Sequence, residues 1–264
     1  MAEVNAPSGE QFELAAGAHR VVVVEVGGGI REWDGVVLGY REDEMCSSGR
    51  GQVLAPWPNR LAAGRYEWDG DELQLPVNEV ATGSAIHGLV RWASWRAVER
   101  EPARALLEHV LHPQPGYPFS LRLRVDYRLT EAGLAVRTEA ENVGDRACPF
   151  GAGHHPYVLA PSGRVDDLAV AGERIGDRKV DETRHEPGGW RVEVGGAAVW
   201  ADAAWPWLQV FTGDLPDIGR RALAVEPMTC PPQAFRSGEG VIRLEPGDRW
   251  SGEWGIDAGP ITVE

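Results

Sequence analysis

A histidine that can give a proton and a carboxylate that can take one form a general acid/base pair. This chain offers one such pair. His155 lies in the stretch GAGHHPYVL, and Glu226 lies further on, in RRALAVEPMTCPPQAF. Pro156 biases His155 towards an extended backbone. On a strand, His154 and His155 point to opposite faces, so only one of them can enter a given pocket. That separation argues against a joint metal site, and no metal is expected. Glu226 follows the apolar run Ala222 to Val225 and precedes Pro227. At the mouth of a buried strand a carboxylate loses water, and its pKa rises towards the working range of a base. Upstream, Asn59 and Arg60 sit in APWPNRLAAGRYEWDG, and His87 sits before Gly88 in ATGSAIHGLVRW. A guanidinium fork holds vicinal hydroxyls in fixed geometry, so these residues suit a sugar. Each also fits a plainer role alone: a strand-end histidine, a strand-end charge, a surface arginine, a turn histidine.

The elements that must position these residues read as β-structure. Phe12 to Leu14 and Arg20 to Val26 open a pattern of short runs broken by Gly, Pro, Asp and Asn. Tyr66 to Trp68 and Glu72 to Leu75, joined through Asp69-Gly70-Asp71, form a hairpin signal. Trp92 to Glu99 and Arg104 to His109 read as a further pair. Ser120 to Leu129 alternates apolar and charged residues, as a strand with one wet face does, and Gly133 to Asn142 is its expected partner. Ala197 to Trp200, Trp207 to Thr212, Ala222 to Glu226, Val241 to Leu244 and Trp250 to Ile256 continue the series. No amphipathic helix exceeds two turns. Strands at this spacing predict an all-β fold, a large antiparallel β-sandwich. No linker divides the chain, so residues 1–264 are expected to form a single domain.

Composition narrows the function classes. The 264 residues carry a formal net charge of −14, a field that repels phosphate backbones and acidic membrane surfaces. No nucleic-acid or membrane partner is expected. No run approaches the roughly 20 apolar residues of a membrane span, and the N-terminus lacks the charged and apolar regions of a secretory signal. Three cysteines, Cys46, Cys148 and Cys230, without pair spacing, fit a reducing compartment. The expected location is therefore cytoplasmic. Cys230 has no base near it in sequence and reads as structural. Val26 to Ile30 is a glycine turn that lacks the later residues of a phosphate loop. Most of the 11 tryptophans suit the sandwich core. Trp57, beside Asn59 and Arg60, is the one expected near a sugar, where an indole face packs on a pyranose.

These segments, in this order, resemble the aldose 1-epimerases, or galactose mutarotases. PNRLAAGRYEWDGDELQLPVNE is similar to the family's Asn-Arg segment and the hairpin after it, AIHGLVRWASW to its His-Gly segment, GAGHHPYV to its His-Pro-Tyr segment, and ALAVEPMTCPPQAF to its Glu-Pro segment. The resemblance implies a galactose mutarotase-like supersandwich with a sugar cleft on one sheet. It implies Glu226 as base, His155 as acid, and Arg60 and His87 as sugar-binding residues. Asp181, in RIGDRKVDETRHEP, is the match for the family's sugar-binding aspartate. The stretch from Pro161 to Trp200 is shorter than usual, and Glu182 to His185 replaces the expected aromatic context.

The implied reaction is cofactor-independent interconversion of the α and β anomers of an aldose. A protonated His155 beside an ionised Glu226 is the expected resting pair. Two alternatives remain at this level. A hexose-6-phosphate 1-epimerase needs cations at the cleft rim, for which Arg91, Arg96 and Arg184 are candidates. A non-catalytic carbohydrate-binding protein keeps the cleft without turnover. The expected partner is a small-molecule sugar, and the chain is expected to act as a monomer or homodimer.

Overall fold

The structure, a computed structural model, describes residues 6–258 with the exception of Ala171. Two antiparallel sheets dominate it. The outer sheet has seven strands. In spatial order they are Trp190–Val194, Ala197–Ala201, Arg249–Ala258, Gly133–Asn142, Leu121–Thr130, Arg104–Leu111 and Arg96–Glu101. The long pair at its centre runs in register from Thr130 opposite Gly133 to Leu121 opposite Asn142. Leu121, Leu123, Val125, Tyr127 and Leu129 face inward and are buried. On the other face, Asp126 accepts both arms of the Arg104 guanidinium, at 2.8 and 3.0 Å, so the charged half of the alternation forms a lattice of ion pairs across strands.

The inner sheet runs Asp181–His185, Trp207–Phe211, Ala222–Met228, Gly153–His154 and Val53–Leu54, and Tyr157–Leu159 also pairs with Ala222–Met228. Every residue of Ala222–Met228 is buried. Its apolar composition follows from being covered on both faces. Leu223 and Val225 join the main core with Tyr127, Val136 and Ile256 of the outer sheet. Ala222 and Ala224 turn the other way, into a small cluster with Tyr157 and Ile218. The strand runs two residues past Glu226, so this carboxylate lies inside the strand and not at its end. The hairpin Arg65–Trp68 to Asp71–Gln74 turns at Asp69 and Gly70, both with positive φ (50° and 87°), the geometry that a two-residue Asp-Gly turn supplies. Among the described residues the one α-helix is the single turn Ala234–Ser237. No helix there is long and apolar enough to cross a membrane. The three cysteines are buried free thiols, and burial pushes Cys230 up to about 12, which keeps it protonated.

His154 joins the two layers. It points into the core, where its Nε2 lies 2.8 Å from the Thr138 hydroxyl of the outer sheet. Its ring packs against Trp205 and Trp254 at 5.6 and 4.9 Å. Burial pushes this histidine down to about 3, so the bridge is made by neutral imidazole. His154→Ala removes the ring and leaves the Thr138 hydroxyl unpaired. The expected cost is about 2–5 kcal/mol, the range of large-to-small core substitutions, read as a lowered urea midpoint. An unchanged midpoint would show that the layers do not depend on this bridge.

Candidate functional site

Glu226 shares its face of the strand with Ala222 and Ala224, away from the main core. It is 2% exposed. Opposite it in register stands Gln209 of the neighbouring strand, and opposite Gln209 stands Thr183. The three side chains form a row across the inner sheet. Gln209 is held at both ends of its amide: Nε2 donates to Asp181 Oδ1 at 2.6 Å, and Oε1 accepts from the Thr183 hydroxyl. Asp181 is thereby fixed at the edge of the row.

His155 approaches Glu226 from the segment between Gly153–His154 and Tyr157–Leu159. Its Nε2 is 3.5 Å from Glu226 Oε1, and both side chains are buried. The ring stacks on Tyr157 at 4.8 Å and meets the edge of His87 at 5.3 Å. The backbone of His155 is clamped by Gly51 N–H on its carbonyl, at 2.9 Å, and by Gln52 O on its N–H, at 3.3 Å. Gly49 makes the close approach of this loop possible. It has a φ of +71°, and a Cβ there would stand 3.0 Å from His155 Cδ2. Asp217 holds the loop from outside by accepting from the hydroxyls of Ser47 and Ser48, at 2.6 and 2.8 Å.

The opposite wall comes from the loops around Asn59 and His87, both with positive φ (55° and 61°). Asn59 N–H donates to His87 Nδ1 at 3.1 Å, and Asn59 O accepts from His87 N–H at 2.9 Å. With Nδ1 accepting, the neutral ring carries its proton on Nε2. Gly88 follows because any Cβ there would lie 2.0 Å from the Ala55 carbonyl oxygen. Arg60 is gripped by Glu79 through two bonds, Nε to Oε2 at 2.6 Å and one terminal nitrogen to Oε1 at 2.8 Å. The fork is thus engaged by a carboxylate within the protein.

One cavity of about 300 Å³ collects these groups. Of the residues singled out in the sequence, Asn59, Arg60, His87, His155, Asp181 and Glu226 line it, as does Arg91. Trp57 does not. It is buried in the core, with its ring 5.7 Å from Phe235; it follows Pro56 inward, whereas the positive φ of Asn59 turns the chain out towards the cavity. Arg96 lies on the outer sheet and pairs with Glu108 at 2.5 Å. Arg184 pairs with Glu182 at 3.1 Å and is not part of the lining. Sequence reasoning missed Glu79, Gln209, Tyr157 and Ser48 as lining residues. Gln209 was detectable: in Trp207–Phe211 it is the one polar residue, buried between the apolar Leu208 and Val210.

A sequence model of the family described as aldose 1-epimerase matches residues 10–183. The chain is 33% identical to the uncharacterized protein YihR of Escherichia coli K12, over 91% of this chain and 90% of that protein. The chain belongs to the aldose 1-epimerase family. Its fold is similar to that of a putative aldose 1-epimerase from Escherichia coli K12, with a TM-score of 0.77 at 21% identity over 96% of this chain and 99% of that one. It is also similar to Slr1438 of Synechocystis, with a TM-score of 0.79 at 19% identity over 98% and 100% of the two chains. The family match stops at residue 183, short of Glu226, whereas the relationship to YihR extends over nearly the whole chain.

The electrostatics of this epimerase-family cavity differ from the sequence expectation. Burial pushes His155 down to about 3, helped by the nearby positive charge of Arg91. Burial raises Glu226 well above the usual carboxylate range, and the negative charge of Asp181 adds to this. Burial likewise holds His87 well below the ordinary imidazole value. The expected resting imidazolium–carboxylate pair is therefore reversed: desolvation favours the uncharged form of each partner. His155 Nδ1 and Glu226 Oε2 have no hydrogen-bond partner within the protein.

A raised carboxyl pKa stabilises the fold fully below the unfolded value, about 4.3, and that contribution is lost as pH rises through the folded value. Glu226→Gln keeps the shape and removes the ionisation. The variant is expected to match or exceed wild-type stability at pH 8, by about 1–3 kcal/mol, with the gap closing towards pH 4.5. Thermal melts at several pH values read this directly. A variant less stable at pH 8 than at pH 4.5, relative to wild type, would mean that an ionised Glu226 supports the fold.

Proposed function

We propose that this protein interconverts the α and β anomers of an aldose by general acid/base ring opening and closure. The observation that carries the reading is the buried His155–Glu226 pair, 3.5 Å apart at the floor of a sugar-sized cavity. Mutarotation acts on two oxygens bonded to one carbon, the anomeric hydroxyl and the ring oxygen. An acid and a base serving them must be neighbours, and these two are. Glu226 takes the proton of the anomeric hydroxyl while His155 protonates the ring oxygen, and the C1–O5 bond breaks to leave an open-chain aldehyde. Rotation about C1–C2 presents the other face of the carbonyl. Closure runs the same transfers backwards, so no proton is consumed.

The pair needs one proton in total. Neutral His155 with protonated Glu226 becomes imidazolium with carboxylate by a single transfer between them, and the titration belongs to the pair. Around it, His87 offers an Nε2–H donor, Arg60 and Glu79 a rigid rim of donors and acceptors, and Asp181 with Gln209 a second polar edge. Such convergent groups fix a sugar's hydroxyls and leave the anomeric centre on the pair.

Activity is lost when the pair gains a second proton or loses its only one. The profile of kcat/KM against pH is therefore expected to be a broad bell. Its acid limb lies far below the ordinary histidine value of about 6.5, and its alkaline limb well above that of an ordinary carboxylate. Polarimetry of fresh α-glucose and α-galactose in weak buffer provides the assay. Glu226→Gln is expected to lower the rate by about 10²–10⁴-fold, the usual scale of a lost general base. A Glu226→Gln rate equal to that of the wild type would remove Glu226 from the chemistry. Saturable sugar binding without any acceleration would make this a binding protein.

A further inference from the structure

Pro156 biases its neighbours towards an extended backbone, and in an extended chain residues two apart share a face. His155 and Tyr157 therefore emerge side by side. Their rings stack at 4.8 Å with 20° between the planes. Tyr157 is 1% exposed, and its ring is fixed from several sides. It stands opposite Ala224 in register, one step along the same strand face from Glu226. Ile218, Ala222 and Ala224 pack round it, and the small side chains at 222 and 224 leave room for the phenol. Its hydroxyl donates to the Ser48 carbonyl at 3.3 Å.

We propose that Tyr157 is a positioning residue for the acid/base step, its ring face supporting the positive charge that His155 carries when it acts as the acid. This rests on the epimerase reading of the pair, and it goes further by assigning what favours the reactive proton arrangement. In that arrangement the single proton of the pair has left Glu226 for His155 Nε2. It then passes to the ring oxygen while Glu226 takes the proton of the anomeric hydroxyl. The imidazolium must form where His155 is 5% exposed. Burial opposes it, and so does the positive charge of Arg91. His87, whose ring meets His155 at 5.3 Å, is neutral and offers no counter-charge. Gly51 and Gln52 meet His155 through backbone bonds. Asp217 is committed to the hydroxyls of Ser47 and Ser48. Among the described residues packed on His155, the groups in favour of its charge are the Glu226 carboxylate and the Tyr157 ring.

The face of an aromatic ring is negative. It attracts a cation within about 6 Å of its centroid, most strongly where water is excluded. Tyr157 is in that range, buried, and nearly parallel to the imidazole. Burial raises its phenol above the ordinary value, so the ring acts as an uncharged face. A neutral imidazole gains only ordinary stacking from the same ring. The contact therefore discriminates between the two proton arrangements and is stronger in the reactive one, the property that raises kcat. The hydroxyl, bonded to the backbone of Ser48, lies outside this effect, and an aromatic face alone suffices.

The test replaces Tyr157 in the full chain by phenylalanine and by phenylalanines bearing two and three ring fluorines. Fluorine withdraws electron density from the face and hardly changes its shape. Anomer exchange of fresh α-glucose and α-galactose is followed by polarimetry, and protonation of His155 by nitrogen NMR from neutral pH downwards. Tyr157→Phe is expected to keep the wild-type rate within about threefold, the scale of one lost neutral hydrogen bond. From phenylalanine to the trifluoro ring, kcat is expected to fall stepwise by about 3–30-fold, the scale of a cation on a desolvated ring, with KM unchanged. His155 is expected to take up its proton at progressively lower pH across the same series. A ring that merely fills space moves neither readout. A level kcat with a level His155 titration across the fluorinated rings overturns the inference and leaves the epimerase reading standing, as does a loss already complete in Tyr157→Phe. A His155 titration that shifts stepwise, with no anomer exchange in the wild type, sustains the action of Tyr157 on His155 and sinks the epimerase reading.

Discussion

A carboxylate inside a fully buried strand is the constraint on which the rest of this site depends. Glu226 stands in Ala222–Met228, where every neighbour along the chain is apolar or proline and every residue is buried. At 2% exposure it is largely stripped of water even though it borders the cavity. Gln209, opposite in register, is pinned by Asp181 and Thr183, which fixes the polar row without neutralising the carboxyl. His155 Nε2 stands 3.5 Å away, beyond the short contact of a committed ion pair. The strand thus favours the protonated form of Glu226, because burial raises it well above the ordinary carboxylate range. A surface carboxylate, ionised over the whole physiological range, lacks that property.

The pleat of the inner sheet separates what holds the fold from what works in the cavity. His154 and His155 are adjacent and face opposite ways, one bonded to Thr138 across the sandwich and the other set against Glu226. The same division runs through the partner strand, with Leu223 and Val225 in the core and Ala222 and Ala224 in the small cluster with Tyr157. Loops that reach the cavity do so through residues in the left-handed region: Ser48, Asn59 and His87 all have positive φ. A non-glycine residue in that conformation is costly unless its surroundings fix it. Here the mutual backbone and side-chain bonds of Asn59 and His87, and the grip of Asp217 on Ser47 and Ser48, supply the fixing.

Much of this was legible in the sequence, for physical reasons. Period-2 alternation in 120–129 marked a half-buried strand because one face must meet water and the other the core. The Asp-Gly turn between Arg65–Trp68 and Asp71–Gln74 was legible for the same kind of local reason. Opposite placement of His154 and His155 followed from strand geometry alone. What remained hidden depends on distance in space. Trp57 looked like a site residue by adjacency, yet the chain turns at Asn59 and leaves the indole in the core. Glu226 read as a strand end because Pro227 lacks a donor; in the sheet, Pro227 stands opposite Leu208 and the strand continues to Met228. The charge state of the His155–Glu226 pair was misjudged because depth of burial is not local, and depth decides which protonation state is cheaper. The pairing of Arg60 with Glu79, 19 residues apart, was likewise beyond any spacing rule.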